Sequence, residues 1–172
     1  MSRGLVIAAL RSGSGKTVLT LGLMRAFARR GLAVAGAKCG PDYIDPAFHA
    51  AATGRPSYNL DSWAMSPSEI GSLAAETAER ADLVIAEASM GLFDGVPAGD
   101  GRSGASADIA AATGWPVLLV HDVTGQAQSA AAMVSGAAHH DPRIRIVGVV
   151  LNKVGSDRHL RLVKDAIEAI GL

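Results

Sequence analysis

Cysteine is almost absent from this sequence, as are an excess of either charge and any apolar run long enough to cross a bilayer. The single cysteine among 172 residues, Cys39, excludes an intrachain disulfide and fits a reducing cytoplasm. Sixteen basic residues balance sixteen acidic ones, so no global field gathers nucleic acid or an anionic membrane, and neither is expected as a partner. A membrane helix needs roughly 20 apolar residues, whereas Asp108 and Pro116 interrupt the most alanine-rich stretch. The N-terminal run leads straight into a glycine-rich turn without a small-residue cleavage site, and it reads as a strand, not a signal peptide. What remains is 49% hydrophobic with mean hydropathy +0.25, enough for one domain with a real core and too short to promise two.

Short apolar runs alternate with longer stretches at helical spacing. "GLVIAAL" (4–10), "LAVAGA" (32–37), "DLVIAEA" (82–88), "PVLLVHD" (116–122) and "IVGVVLN" (146–152) are apolar without a break, the pattern of parallel strands buried on both faces. Between them, Leu19, Leu23, Ala26 and Phe27 share a helical face that Gly31 closes. "SPSE" (66–69) is a capping box opening a helix to about Arg80. A last helix from about Ser156 places Leu160, Val163, Ile167 and Ile170 on one side. The alternation predicts an α/β domain over 1–172, a parallel sheet with helices on both faces, whose ligands meet the residues just beyond the strand ends.

The first such place is "LRSGSGKT". Gly13 and Gly15 let backbone N–H groups turn toward phosphate oxygens, Lys16 reaches the β- and γ-phosphates, and Thr17 offers its hydroxyl to Mg²⁺. Ser12, Gly13, Ser14, Gly15, Lys16, Thr17 and Val18 form the candidate nucleotide-binding stretch. The P-loop pattern wants glycine at position 10, where this chain has Leu10. Partition-type ATPases carry a lysine at the position held here by Arg11, and an arginine keeps the charge while changing the geometry.

The next strand end carries "KCGPDYIDPAFH", with Asp42 and Asp45 three residues apart beside turn prolines. The third carries "AEASMGLFDG", in which Glu87 stands where a Mg²⁺ ligand belongs and Asp94 follows seven residues later. Four carboxylates on one rim call for a cation. Cys39 lacks a nucleophile-elbow glycine pattern and reads as a small packing residue, so the chain shows no ammonia-releasing nucleophile of its own. His139 and His140 close an alanine-rich helix, where a cation is ordinary, and His121 and His159 lack metal-ligand spacing.

"KCGPDYIDPAFH", "YNLDSW", "MGLFDG", "GQAQSAAA" and "VLNKVGSDRH" together resemble the ATP-binding synthetase domain of the cobyrinic or hydrogenobyrinic acid a,c-diamide synthases, through nearly the whole chain. The resemblance implies a dethiobiotin-synthetase-like P-loop NTPase fold. It also implies ATP- and Mg²⁺-dependent amidation of two corrinoid carboxylates with glutamine-derived ammonia, in cobalamin biosynthesis. It assigns Thr17, Asp45 and Glu87 to the metal and phosphate neighbourhood, and Asp42 and Asp94 to placing the corrinoid or ordering the loops around the intermediate. Lys16, Asp42, Asp45, Glu87 and Asp94 are thus the catalytic candidates. Asn152 and Lys153 fall at the adenine-recognising position of related P-loop proteins. A C-terminal glutamine amidotransferase domain would supply ammonia, and a homodimer stays compatible with the sequence. A partition-type switch, dethiobiotin synthetase and cobyric acid synthase remain alternatives, and whether the corrinoid carries a metal is open.

Overall fold

Six apolar or half-apolar segments pair into one parallel sheet in the computed structural model, which describes residues 3–172. In chain order the elements are β1 (Gly4–Ala8), α1 (Lys16–Arg29), β2 (Val34–Cys39), α2 (Asp45–Thr53), β3 (Ser57–Leu60), α3 (Pro67–Glu79), β4 (Leu83–Glu87), α4 (Ser106–Thr113), β5 (Val117–Asp122), α5 (Ser129–His140), β6 (Ile146–Asn152) and α6 (Asp157–Glu168). The strand order is β3-β2-β4-β1-β5-β6. From β1 the chain moves to one side for β2 and β3, and after β4 it crosses to the other for β5 and β6. Loops leaving the central strands therefore diverge, which opens a crevice at their carboxyl ends.

The continuous apolar runs have the expected cause: both sheet faces are covered. Alternate residues of each strand divide between two cores. Ile7, Val34, Ile85 and Val120 meet Met24 of α1, with Leu19, Leu23, Phe27 and Ala52 packed around them. Val6, Ala35, Val84 and Leu119 meet Ile70, Ala74, Ile109, Val134, Val163 and Ile167 of α3 to α6. One face thus holds α1 and α2, the other the remaining four helices.

The capping box forms as expected: Ser66 Oγ accepts from Glu69 N at 3.3 Å, Glu69 Oε2 accepts from Ser66 N at 2.7 Å, and Pro67 opens α3. On α6 only the middle of the expected face is covered. Val163 and Ile167 are buried, while Leu160 and Ile170 are exposed, because β6 is an edge strand and no further element flanks it among the described residues. The sheet has six strands where the apolar runs predict five; β3 is a four-residue edge strand. No helix of the described residues is long and apolar enough to cross a membrane.

Candidate functional site

Between β1 and α1 the chain curls through two left-handed glycines, Gly13 (φ 75°) and Gly15 (φ 96°), and α1 starts without a side-chain cap, leaving its first N–H groups available to an anion. The curl is held from outside. Asn152 Nδ2 donates to Ser14 O at 2.8 Å, and Lys153 Nζ donates to Gly13 O at 3.0 Å. In a trans peptide each C=O is opposed by the following N–H, so these bonds aim the N–H groups of Ser14 and Gly15 the other way, into the cradle. A Cβ on Gly15 would stand 2.3 Å from Asn152 Nδ2. The amide expected near a nucleobase is therefore engaged with the loop.

Asp122 anchors this brace. Its side chain, 1% exposed, meets Lys153 Nζ at 2.8 Å and Arg11 Nη2 at 2.6 Å. The hydrogen bond from Lys153, followed by those from Thr124, holds its carboxyl well below the usual range. Leu10, where the motif wants glycine, is not left-handed. The close approach is made instead by the facing Gly91, whose Cβ would come within 2.7 Å of Leu10 O.

Lys16 is buried, and its Nζ donates to Met90 O at 2.7 Å and Arg11 O at 3.5 Å. Burial, then the nearby Lys38 charge, pulls its pKa down. Met90 takes a left-handed φ of 49°, unusual outside glycine, and so presents its carbonyl to this amine.

Lys38 and Glu87 are register partners on the adjacent strands β2 and β4, both on the α1/α2 face. Lys38 Nζ reaches Asp45 Oδ2 at 2.7 Å and Glu87 Oε1 at 3.4 Å; the Lys38 and Glu87 side chains are 5% and 1% exposed. Glu87 Oε1 also accepts from Thr17 Oγ1 at 2.5 Å, and Oε2 lies 2.9 Å from His49 Nε2. Burial works against the ionised Glu87, yet the bonds from His49 and Thr17 and the charge of Lys38 outweigh it and hold the carboxyl below its ordinary value. Burial likewise opposes the Lys38 ammonium, and the Asp45 hydrogen bond with the Glu87 and Asp45 charges leaves it raised. The cation the carboxylates call for is thus supplied in part by the chain itself.

The structure brings Thr17, Asp45 and Glu87 into one connected group through Lys38. It gives Asp42 and Asp94 to their own loops. Asp42 Oδ1 accepts from Ile44 N (2.7 Å) and Asp45 N (3.1 Å) and so starts α2; burial opposes its ionisation, and these N–H bonds prevail and lower its pKa. Asp94 Oδ2 accepts from Gly91 N at 2.8 Å. Among the described residues no three His, Cys, Asp or Glu side chains gather as a metal site. The Thr17 hydroxyl and Glu87 carboxylate are nonetheless the hard oxygen donors that Mg²⁺ takes beside phosphate oxygens and water. Cys39 is buried, and desolvation pushes its thiol up to about 12, so it forms no thiolate nucleophile near neutral pH.

Lys38, His49 and Asp122 are parts of the site that the sequence reading does not single out. A signal existed for the strand residues: Lys38, Glu87 and Asp122 are the charges that interrupt otherwise apolar runs, at strand ends, on the same sheet face as Val34, Ile85 and Val120. His49 offered none, since its partners come from two other strands. Around the crevice, Tyr43, Ile44, Phe48, Trp63, Met90 and Val96 are exposed on the segments that follow β2, β3 and β4.

A parallel sheet with a glycine loop braced into the first helix and an acidic strand end beside its lysine and threonine defines a P-loop nucleotide-binding domain. The description "CobQ/CobB/MinD/ParA nucleotide binding domain" matches residues 5–171, and the chain belongs to that family. Among curated proteins it is similar to hydrogenobyrinate a,c-diamide synthase of Mesorhizobium japonicum, 60% identical over 99% of this chain and 39% of that one. The same enzyme of Streptomyces coelicolor is 48% identical over 98% and 34%. The chain thus spans about two fifths of the length of these relatives. Among solved structures, chloroplast FtsY of Physcomitrella patens (TM-score 0.65, 20% identity, 99% of this chain and 56% of that one) shares the fold. So does the cell division ATPase MinD of Pyrococcus furiosus (TM-score 0.56, 18% identity, 98% and 80%).

Proposed function

We propose that this chain is the ATP-binding synthetase domain of a hydrogenobyrinate a,c-diamide synthase, acting in the cytoplasm with a glutaminase domain that supplies ammonia. The observation that carries the reading is the connected Thr17–Glu87–Lys38–Asp45 group beside the phosphate loop. It provides charge neutralisation and positioning with no protein nucleophile, which is what phosphoryl transfer to a substrate carboxylate requires. The 60% identity to the Mesorhizobium enzyme supports the substrate assignment.

A carboxylate does not react with ammonia directly, because its leaving group would be oxide. A carboxylate oxygen of the substrate instead attacks the γ-phosphorus of ATP, the bond to the β–γ bridging oxygen breaks, and ADP leaves. Ammonia then attacks the acyl carbon, the bond to the phosphate oxygen breaks, phosphate departs and the surplus proton passes to solvent. Lys16 contacts the β- and γ-phosphates, and the braced N–H groups of Ser14 and Gly15 bind their oxygens. Thr17 and Glu87 would hold Mg²⁺, which screens the charge on the transferring group. Lys38 favours the ionised Glu87 and holds Asp45 in place through their ion pair. Asp42 and Asp94 order the loops on which the apolar side chains of Tyr43, Ile44 and Met90 stand, a surface suited to a broad macrocycle. In the switch reading the residue at position 11 serves a partner subunit; here Arg11 is paired with Asp122 of its own chain.

The test uses the full-length protein with Mg²⁺-ATP and glutamine or ammonium, offering hydrogenobyrinate and cobyrinate separately and counting amidations by mass spectrometry. Diamide formation from hydrogenobyrinate is expected, with Asp45→Asn and Asp94→Asn retaining most ATP binding while losing amidation. No amidation of either corrinoid by the wild type, or wild-type rates in both variants, refutes the reading.

A further inference from the structure

Helix α2 carries a histidine that solvent does not reach. His49 is 0% exposed, with Nδ1 3.1 Å from Ser57 Oγ on β3 and Nε2 2.9 Å from Glu87 Oε2 on β4. An ionised carboxylate only accepts, so Nε2 carries a proton, and the Ser57 hydroxyl is free to donate to a bare Nδ1. Room for this seating comes from a third strand. A Cβ on Gly36 of β2 would stand 2.7 Å from His49 Cβ and 3.0 Å from Ser57 Oγ.

The consequence falls on Glu87. The terminal torsion of a glutamate is broad and nearly two-fold, so an unheld carboxylate samples many orientations. Here His49 takes Oε2, and Oε1 is left to Thr17 and Lys38. We propose that His49 is a positioning residue: clamped between Ser57 and Glu87, it fixes the Glu87 carboxylate so that Oε1 is presented to the Thr17 hydroxyl and to a metal–nucleotide complex bound there. The inference rests on the nucleotide reading of this site and does not depend on which carboxylate is amidated. Partners that orient a metal-binding group without touching the metal commonly contribute 10- to 100-fold to metal affinity.

The experiment measures ATP affinity of the full-length protein by calorimetry, in EDTA and with Mg²⁺, for wild type, His49→Leu, His49→Gln and Ser57→Ala. The glutamine amide places a donor near the position of Nε2; leucine cannot donate. For His49→Leu, Mg²⁺-free affinity stays within about twofold of wild type, while the gain on adding Mg²⁺ shrinks about tenfold. His49→Gln restores most of that gain, and Ser57→Ala loses a smaller part of it. If His49→Leu fails to fold, as judged by its melting curve, the comparison of His49→Gln and Ser57→Ala with wild type carries the test. Long-range ¹⁵N spectra of the wild type show a protonated Nε2. Equal losses with and without Mg²⁺, no recovery in His49→Gln relative to a folded His49→Leu, an unchanged Ser57→Ala, or a proton on Nδ1 alone each overturns the proposal. Failure of the wild type to amidate a corrinoid would refute the proposed function and leave these Mg²⁺ readouts standing.

Discussion

Replacing Lys38 by methionine removes a cation without emptying its space, and the structure sets the expected cost. The ammonium is 5% exposed and lies 2.7 Å from Asp45 and 3.4 Å from Glu87. Breaking a buried pair from one side costs about 3–5 kcal/mol, because the remaining charge stays desolvated. For a chain of this size each kcal/mol moves the melting midpoint by about 2–4 °C, so the loss should be roughly 6–20 °C. In the wild type, Lys38 is raised, and its stabilisation is fully present below the ordinary lysine pKa of about 10.4 and lost only as pH climbs through the raised value. Glu87 is lowered, so its share is present above the ordinary pKa of about 4.3 and lost as pH falls through the lowered value. Between about pH 5 and 9 the wild-type contribution is therefore flat. Thermal melts across that range, with Lys38→Met/Asp45→Asn recovering part of the loss, make the assay. A midpoint within about 2 °C of wild type at pH 8 would refute the reasoning.

Asn152→Ala should weaken every nucleoside triphosphate alike, by about fivefold for one lost hydrogen bond to Ser14 O; a loss confined to ATP in a competition panel would support a base-reading role instead. Gly36→Ala should destabilise by about 1–3 kcal/mol in urea unfolding, since the new Cβ meets His49 Cβ at 2.7 Å, and an unchanged denaturation midpoint would show that α2 yields freely. Ser66→Ala should cost about 1 kcal/mol through the lost cap of α3, with ATP affinity unaffected, because α3 packs on the opposite sheet face from the helix that the phosphate loop opens.

The elements that the sequence made legible are those whose signals are local. The phosphate loop announces itself through glycines that its own backbone demands, and α3 through a capping box closed within four residues. β3 was hidden because "SYNL" is a short, polar edge segment with little to bury. Helix α2 was hidden behind Asp42 and Pro46, which read as turn residues and in fact start the helix. The same holds within the site. Thr17 and Glu87 could be placed by strand-end logic, but Lys38–Glu87 and His49–Glu87 join residues far apart in sequence, and only the packing of β2 and α2 beside β4 brings them together.

The two sheet faces are unequal in what they can tolerate. Lys16, Thr17, Lys38, Glu87 and His49 all lie on or against the face covered by α1 and α2, where the apolar core is the smaller of the two. The opposite face, under α3 to α6, holds most of the apolar packing and none of these groups. Substitutions on that second face change robustness with little direct bearing on the nucleotide site, so they are where an engineer should add stability and where drift among relatives should accumulate. On the first face, the groups that stabilise the fold are also those that shape the candidate site, and improvement there must come through paired changes.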